Sequence, residues 1–144
     1  MTSGGLTLLA FDYGRRRIGV AVGNTVTGRA SALATVDASD GGPDWSRIEA
    51  LIEAWRPARL VVGVPYNGAA SGEDIEGEAE RFARRLEGRF GLAVDRVDER
   101  LSSAEAYDRL KSERQAGRRG PIAKKDIDSA AAAVILQDWL DNHR

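Results

Sequence analysis

Cysteine is absent from the 144-residue chain, which excludes both a disulfide framework and a thiolate metal site. Histidine occurs once, at His143 beside the C-terminus. Chain ends fray and hold little in place, so a solvated tail residue is expected there rather than a catalyst. Any catalysis must therefore run on carboxylates, hydroxyls, Lys and Arg, or a bound ion. No apolar run approaches the length needed to span a bilayer, and residues 1–5 lack the basic and apolar regions of a secretory signal. No internal repeat or low-complexity tract stands out. The expectation is a cytoplasmic protein with no membrane partner, built as one domain over residues 1–144.

What is present is ordinary in bulk and uneven in detail. Hydrophobic residues make up 42% and charged residues 30%, the balance of a soluble globular domain. Net charge is −1, which by itself points to no polyanion. Between Arg109 and Lys125, however, seven basic residues face one acid, Glu113, so a local charge of +6 sits on a remainder of −7. A basic segment on an acidic body is expected where polyanions bind at one place; the plain alternative is a solvated loop.

The stretch LLAFDYGRRRIGVAVG, residues 8–23, contains two apolar runs around an acid and three consecutive arginines. TLLAFD reads as a buried strand and RIGVAVG as a second, joined in a hairpin around YGRR, with RASALATV as a third. A helix follows from Pro43 or Asp44, with Ile48, Leu51, Ile52 and Trp55 on one apolar face and Pro57 as its stop. LVVGVP reads as a central parallel strand, residues 75–87 as an amphipathic helix, and LAVDRVDE as a fifth strand. Ser102 and Glu105 have capping-box spacing and open a further helix. Residues 114–125 read as a mobile basic loop, and a last helix runs from about Lys125 to Asp141. The fold class is mixed α/β: three antiparallel strands extended by two parallel ones in a five-stranded sheet, flanked by helices.

Three acids stand out against this pattern. Asp12 ends the first strand, and Asp98 and Glu99 end the fifth. In open α/β sheets, ligand sites gather at the carboxyl ends of strands. On the last helix, positions 128, 131, 132, 135 and 139 share a face and read Asp, Ala, Ala, Ile, Trp, so Asp128 heads a face expected to pack on the sheet. A helix N-terminus favours such a charge by about 0.3–1 kcal/mol, which suffices for one residue. A cluster of Asp12, Glu99 and Asp128 needs more, because two like charges about 4 Å apart repel by about 4 kcal/mol at an effective dielectric of about 20. Hard divalent cations, Mg²⁺ or Mn²⁺, take such oxygen ligands. A structural ion-pair net with Arg15, Arg16, Arg17 and Arg100 is the competing account.

Four segments, FDYGRRRIGVAVGN, LVVGVPYNG, VDERLSSAEA and KDIDSAAAAVILQDWLD, together resemble the YqgF/RuvX family of the RNase H-like superfold, in that family's order and spacing, from about Thr7 to Asp141. Its members are described as pre-16S rRNA nucleases and as Holliday junction resolvase-like. The resemblance implies a RNase H-like fold, Asp12, Glu99 and Asp128 as catalytic and metal-binding acids, a divalent metal, and phosphodiester hydrolysis of nucleic acid, either structured RNA precursor or branched DNA. It also implies supporting roles for Arg17, Asn67 and Arg100. Two places depart from the family pattern: Gly23-Asn24 stands where a Ser-Asp pair is usual, and residues 66–70 read YNGAA where Leu-Asn-Met-Asp-Gly or similar is usual. Both bear on substrate preference.

Metal-assisted hydrolysis needs neither His nor Cys. Arg15, Arg16 and Arg17, with Arg118, Arg119, Lys124 and Lys125 of the basic segment, are the expected phosphate contacts, which give salt-dependent affinity with little sequence information. The tryptophans, Trp45, Trp55 and Trp139, are expected in packing, while Tyr13 and Tyr66 are the better stacking candidates. The alternatives are a junction resolvase, a nucleic-acid-binding protein with little catalysis, and an ATPase of the actin and sugar-kinase group, whose two closing domains the length does not supply. Either a monomer or a homodimer fits, and a resolvase would use a two-fold dimer for symmetric cuts.

Overall fold

The computed structural model describes residues 5–39, 41–65, 75–98 and 124–143. Strands β1 (Thr7–Asp12), β2 (Arg17–Asn24) and β3 (Arg29–Ser39) form the antiparallel set, and β5 (Arg59–Val64) and β6 (Val94–Asp98) extend it in parallel. The two-residue strand β4 (Gly42–Pro43) pairs with the end of β3, giving the order β4-β3-β2-β1-β5-β6. The sheet therefore has six strands among the described residues rather than five. Strand β3 runs three residues past the expected Val36, and the chain turns back through Gly42 at φ +104°. Such a φ suits glycine, and Pro43, which has no N–H to donate, is tolerated at a sheet edge. The weak alternation of RASALATV also has a cause: the β2–β3 register shifts between Val20 and Ala21, whose partners are Ala34 and Ala32, leaving Leu33 as a bulge.

Three helices cover the sheet among the described residues: α1 (Trp45–Trp55), α2 (Ile75–Phe90) and α3 (Lys124–Asn142). Asp44 caps α1, its side chain accepting from the Arg47 amide at 3.2 Å, and Arg56 closes it at φ +46° just before Pro57. Ile48 and Leu51 are buried and Ile52 packs beside them. Trp55 was expected on that face but is 43% exposed, because the last turn of α1 overruns the sheet-facing core. Helix α2 extends three residues beyond Glu87. The expected helix opening at Ser102 and most of the loop 114–125 lie outside the described residues, while Lys124 and Lys125 open α3 instead of closing that loop.

The period-2 pattern of the strands sorts the core into two layers. Leu9, Phe11, Ile18, Val20, Leu60 and Val62 face α1 and α2. On the other face, Leu8, Ala10, Ala21 and Val61 pack against Ala132, Ile135, Leu136 and Trp139 of α3. Ala131, expected on the sheet-facing side of α3, belongs to a separate cluster with Ala130 and Val134. The helix is buried from Ala130 to Leu136, so its apolar surface is not one stripe.

Close approach makes this second layer possible. The β2 side facing α3 carries Gly19, Ala21 and Gly23, and a Cβ at Gly19 would lie 1.8 Å from the Asp128 carbonyl oxygen. At Gly23 it would meet the Leu136 side chain at 2.9 Å. Ion pairs fix the other layer. The Arg96 guanidinium of β6 donates to Glu80 at 2.7 Å and to Glu87 at 3.1 Å, both on α2, and to the Val94 carbonyl at 2.8 Å. Its hydrogen bond holds the Glu80 carboxyl below the usual range. His143 is exposed at the chain end as expected, yet its ring stacks on Trp139 with centroids 4.0 Å apart.

Two stability measurements check this architecture. Gly19→Ala drives a methyl group into backbone and is expected to cost about 1–3 kcal/mol or more in urea unfolding. Gly23→Ala, which meets only a movable leucine tip, costs less, and equal effects would contradict the close approach. Glu80 has a lowered folded-state pKa, so its contribution is present above the unfolded value of about 4.5 and is lost as pH falls through the folded value. Glu80→Gln should therefore destabilise by about 0.2–1 kcal/mol at pH 7, and the difference from wild type should shrink in acid. A gap that widens in acid would refute the pairing.

Candidate active site

Asp12 is the last residue of β1 and shares the parity of Leu8 and Ala10, the side facing α3. Its ladder partners are Gly19 on β2 and Gly63 on β5, so no cross-strand side chain crowds the half-buried carboxylate. Asp128, in the opening turns of α3, comes to the same place from the opposite end of the chain, since its backbone lies directly against Gly19. One glycine thus joins the two acids: it is the ladder partner of the first and the packing surface of the second.

Arg17, the first residue of β2, donates from Nε to the Asp128 Oδ2 at 2.7 Å. The Arg17 and Asp128 side chains are 37% and 25% exposed, and like other solvent-accessible pairs theirs contributes at most about 1 kcal/mol. Its consequence is geometric, since it fixes the orientation of the Asp128 carboxylate. A cleft of about 450 Å³ opens beside the pair, bounded by Gly14, Arg15, Arg16, Arg17 and Asp128. The turn carrying the arginines is tight, for a Cβ at Gly14 would lie 2.4 Å from the Arg17 carbonyl oxygen.

The three arginines do not act alike. Arg15 reaches α2 and donates from Nε to the Glu78 Oε1 at 2.8 Å. Arg16 is exposed at the cleft. The hydrogen bond from Arg15 holds the Glu78 carboxyl below its ordinary range. Burial, then the Glu78 charge, pushes the Tyr13 phenol upward, and the Tyr13 ring packs on Phe82 at 5.3 Å. The competing ion-pair account holds at Arg17, which pairs with Asp128; Arg15 pairs instead with Glu78, an acid outside that cluster, on the opposite face of the sheet.

Asp98 has the parity of Val94 and Arg96, which face α2, whereas Asp95 and Val97 face α3, Asp95 accepting from the Trp139 Nε1 at 2.6 Å. Asp98 thus lies on the side of the sheet away from Asp12. Glu99, Asn67, Arg100, Arg118 and Arg119 lie outside the described residues, as does Tyr66, and the side chains of Lys124 and Lys125 are not described. Among the described residues no cluster of three metal-ligating side chains forms. The donor set that is described, the Asp12 carboxylate at a strand end and the Asp128 carboxylate in the opening turns of α3, has the hard-oxygen chemistry that Mg²⁺ or Mn²⁺ takes, and a cleft opens beside Asp128. Gly19 and Gly63, the ladder partners of Asp12, were not singled out in the sequence. Their signal was glycine inside otherwise apolar strands.

No helix among the described residues is long and apolar enough to cross a membrane. A family model described as RuvX, Holliday junction resolvase, matches residues 6–142. A protein of Azotobacter vinelandii named "Putative pre-16S rRNA nuclease" is 49% identical over 140 residues, covering 96% of this chain and 95% of its own. A Pseudomonas savastanoi pv. phaseolicola protein of the same name is 46% identical over 138 residues, covering 94% and 92%. Among solved structures, Thermus thermophilus RuvC in complex with a Holliday junction substrate superposes with a TM-score of 0.60 at 16% identity, covering 95% of this chain and 94% of that one. Fowlpox virus resolvase with Holliday junction DNA superposes at 0.59 and 11% identity, covering 95% and 98%. At such identities these two likenesses establish a common fold. With one family model spanning nearly the whole sequence and relatives close to half identical over more than nine-tenths of it, the chain belongs to the RuvX family.

Proposed function

We propose that this protein is a metal-dependent nuclease that hydrolyses phosphodiesters at the β1–α3 end of the sheet, with pre-16S rRNA trimmed at its 5′ end as the substrate and the cytoplasm as its place of action. The observation that carries the proposal is the meeting of Asp12 and Asp128 across Gly19, on the sheet face where both neighbours of Asp12 are glycines. The substrate assignment draws on the relatives named for pre-16S rRNA.

In this reading Asp12, Asp128 and Glu99 hold Mg²⁺ or Mn²⁺, and Glu99 stands on its place in the sequence next to Asp98. When bound, the metal supplies positive charge that makes a water nucleophilic at neutral pH and stabilises the leaving oxygen. The chain's own residues do the rest. Arg17 holds the Asp128 carboxylate in one orientation, so the ligand is positioned before the cation arrives. Arg16 at the cleft mouth and Arg118, Arg119, Lys124 and Lys125 draw in phosphates and set the strand against the acids, with Asn67 and Arg100 in support. The lack of a side chain at Gly19 lets the Asp128 backbone close onto β2 beside Asp12.

A second substrate has its own support, since the family description and both solved neighbours concern Holliday junctions. A symmetric cut there would require a homodimer.

Cleavage of a labelled pre-16S 5′ RNA fragment and of a four-way DNA junction, each with Mg²⁺, Mn²⁺ or EDTA, decides between them. Wild type is expected to cut the RNA only with metal. Asp12→Asn and Asp128→Asn should each lose several kcal/mol of transition-state stabilisation, at least about a hundredfold in rate. Preferential cutting of the junction would transfer the assignment to DNA, and binding without cutting, equal in wild type and both variants, would overturn the nuclease. Charge reversal at Arg118 and Arg119 should weaken substrate binding and flatten its salt dependence. Unchanged affinity across a salt series would remove the basic segment from the interface.

A further inference from the structure

Helix α2 carries four glutamates and four arginines, and the fold sorts them by flank. Glu80 and Glu87 turn to Arg96 on β6. Arg81, Arg85 and Arg89 recur every four residues, which places them in one stripe along the opposite flank, with about 6 Å of helix rise between neighbours. Arg89 lies over the Trp45 ring of α1, its guanidinium carbon 4.2 Å from the ring centroid. Arg81 and Arg85 are exposed, and neither has a carboxylate at ion-pair distance among the described residues. Like charges at this spacing disfavour a helix by about 0.2–0.5 kcal/mol, a cost that the Glu78 charge near Arg81 and the Trp45 ring beneath Arg89 offset in part.

The stripe borders a concavity. A cleft of about 560 Å³, a size that accommodates ligands, lies between α2 and the β3–β4 turn. Arg15, Arg81 and Arg85 stand on its wall, and Tyr13, Trp45 and Phe82 contribute aromatic surface. Phe82 is buried and stacks on Trp45 at 5.7 Å. Glu78, the acid in the lining among the described residues, is already bonded to Arg15. The cleft is on the sheet face opposite Asp12 and Asp128, yet Arg15 borders both it and the candidate active-site cleft. A chain leaving the acids has only the Tyr13–Arg17 turn to cross.

We propose that this cleft is a second nucleic-acid site, which takes a single-stranded segment of the substrate leading away from the cut. Arg81 and Arg85 meet successive phosphates, and the Tyr13 and Trp45 rings in the cleft wall offer aromatic surface on which an unpaired base stacks. Stacking needs an exposed base face, which a duplex does not offer, and these contacts are independent of base identity. The proposal rests on the nuclease reading for the direction of the strand, and its test is independent of cutting.

Anisotropy of a labelled single-stranded RNA, read in EDTA over a salt series, tests it. Arg81→Ala/Arg85→Ala is expected to weaken binding by about tenfold or more and to lower the salt slope by about 1.4, two phosphate contacts' worth for a single strand. Arg84→Ala removes the same charge from the same helix outside the stripe and should stay within about twofold of wild type. Equal losses in both variants, no loss in the double variant, or the same loss on a blunt duplex would overturn the site. The two readings separate cleanly: if wild type cuts nothing while the double variant still loses the strand selectively, the nuclease fails and the cleft stands. If wild type cuts and the double variant binds and cuts an RNA with a single-stranded arm as wild type does, the cleft alone fails.

Discussion

The distance between α3 and β2 is the constraint on which the rest depends. A backbone carbonyl sits where a Cβ of residue 19 would be, so the helix and the strand touch through main chain rather than through side chains. Small residues let this happen along the strand: Gly19 admits the Asp128 backbone, Ala21 packs in one cluster with Ala132 and Ala133, and Gly23 leaves space for the Leu136 and Leu140 side chains. Larger partners would hold the two elements about 10 Å apart, as in ordinary helix packing. The same closeness puts the opening of α3, and with it Asp128, at the carboxyl end of β1. Packing of the layer and assembly of the site are therefore one event.

Electrostatics then divides the molecule by face. On the α3 side, an acid at a strand end and an acid at a helix start converge, and a single guanidinium, that of Arg17, orients one of them. On the α2 side, Arg96 gathers two glutamates to itself and leaves the arginines of the other flank beside the aromatic cleft. The YGRR turn joins the two regimes because its arginines diverge: Arg15 goes to Glu78 and Arg17 to Asp128. That divergence comes from the tight turn: Arg15 lies in it and Arg17 begins β2, whereas strand alternation alone would put residues two apart on one face. Three like charges in a row are tolerable because they do not share a face.

Most of the elements were legible in the sequence. Short apolar runs bounded by glycine or proline identify β1, β2 and β5, and amphipathic spacing identifies α1 and α2, because each signal reports burial and little else. The places where the reading and the structure differ share a cause. The extra strand β4, the Leu33 bulge and the length of β3 are set by cross-strand register, which no local periodicity encodes. Trp55 looked buried because helical spacing says which side a residue is on, but not whether the sheet extends beneath it. His143 has neighbours because α3 brings Trp139 to the same end.

By itself the sequence determined the alternation that gives each strand two distinct faces, the acids that have no local reason to be where they are, the small residues that permit close contact, and the family. These are properties of spacing and side-chain chemistry, and they survive without coordinates. Only the tertiary structure decided which acids meet and which arginines are spent on ion pairs. Asp12 and Asp128 are brought together by a helix lying on a strand far away in the chain, and Asp98 is turned from them by one step of pleat. The arginine flank of α2 faces a cleft because Arg96 claims the glutamates on the other side. Long-range contact makes these choices, since the free energy of a charge depends on what surrounds it in space.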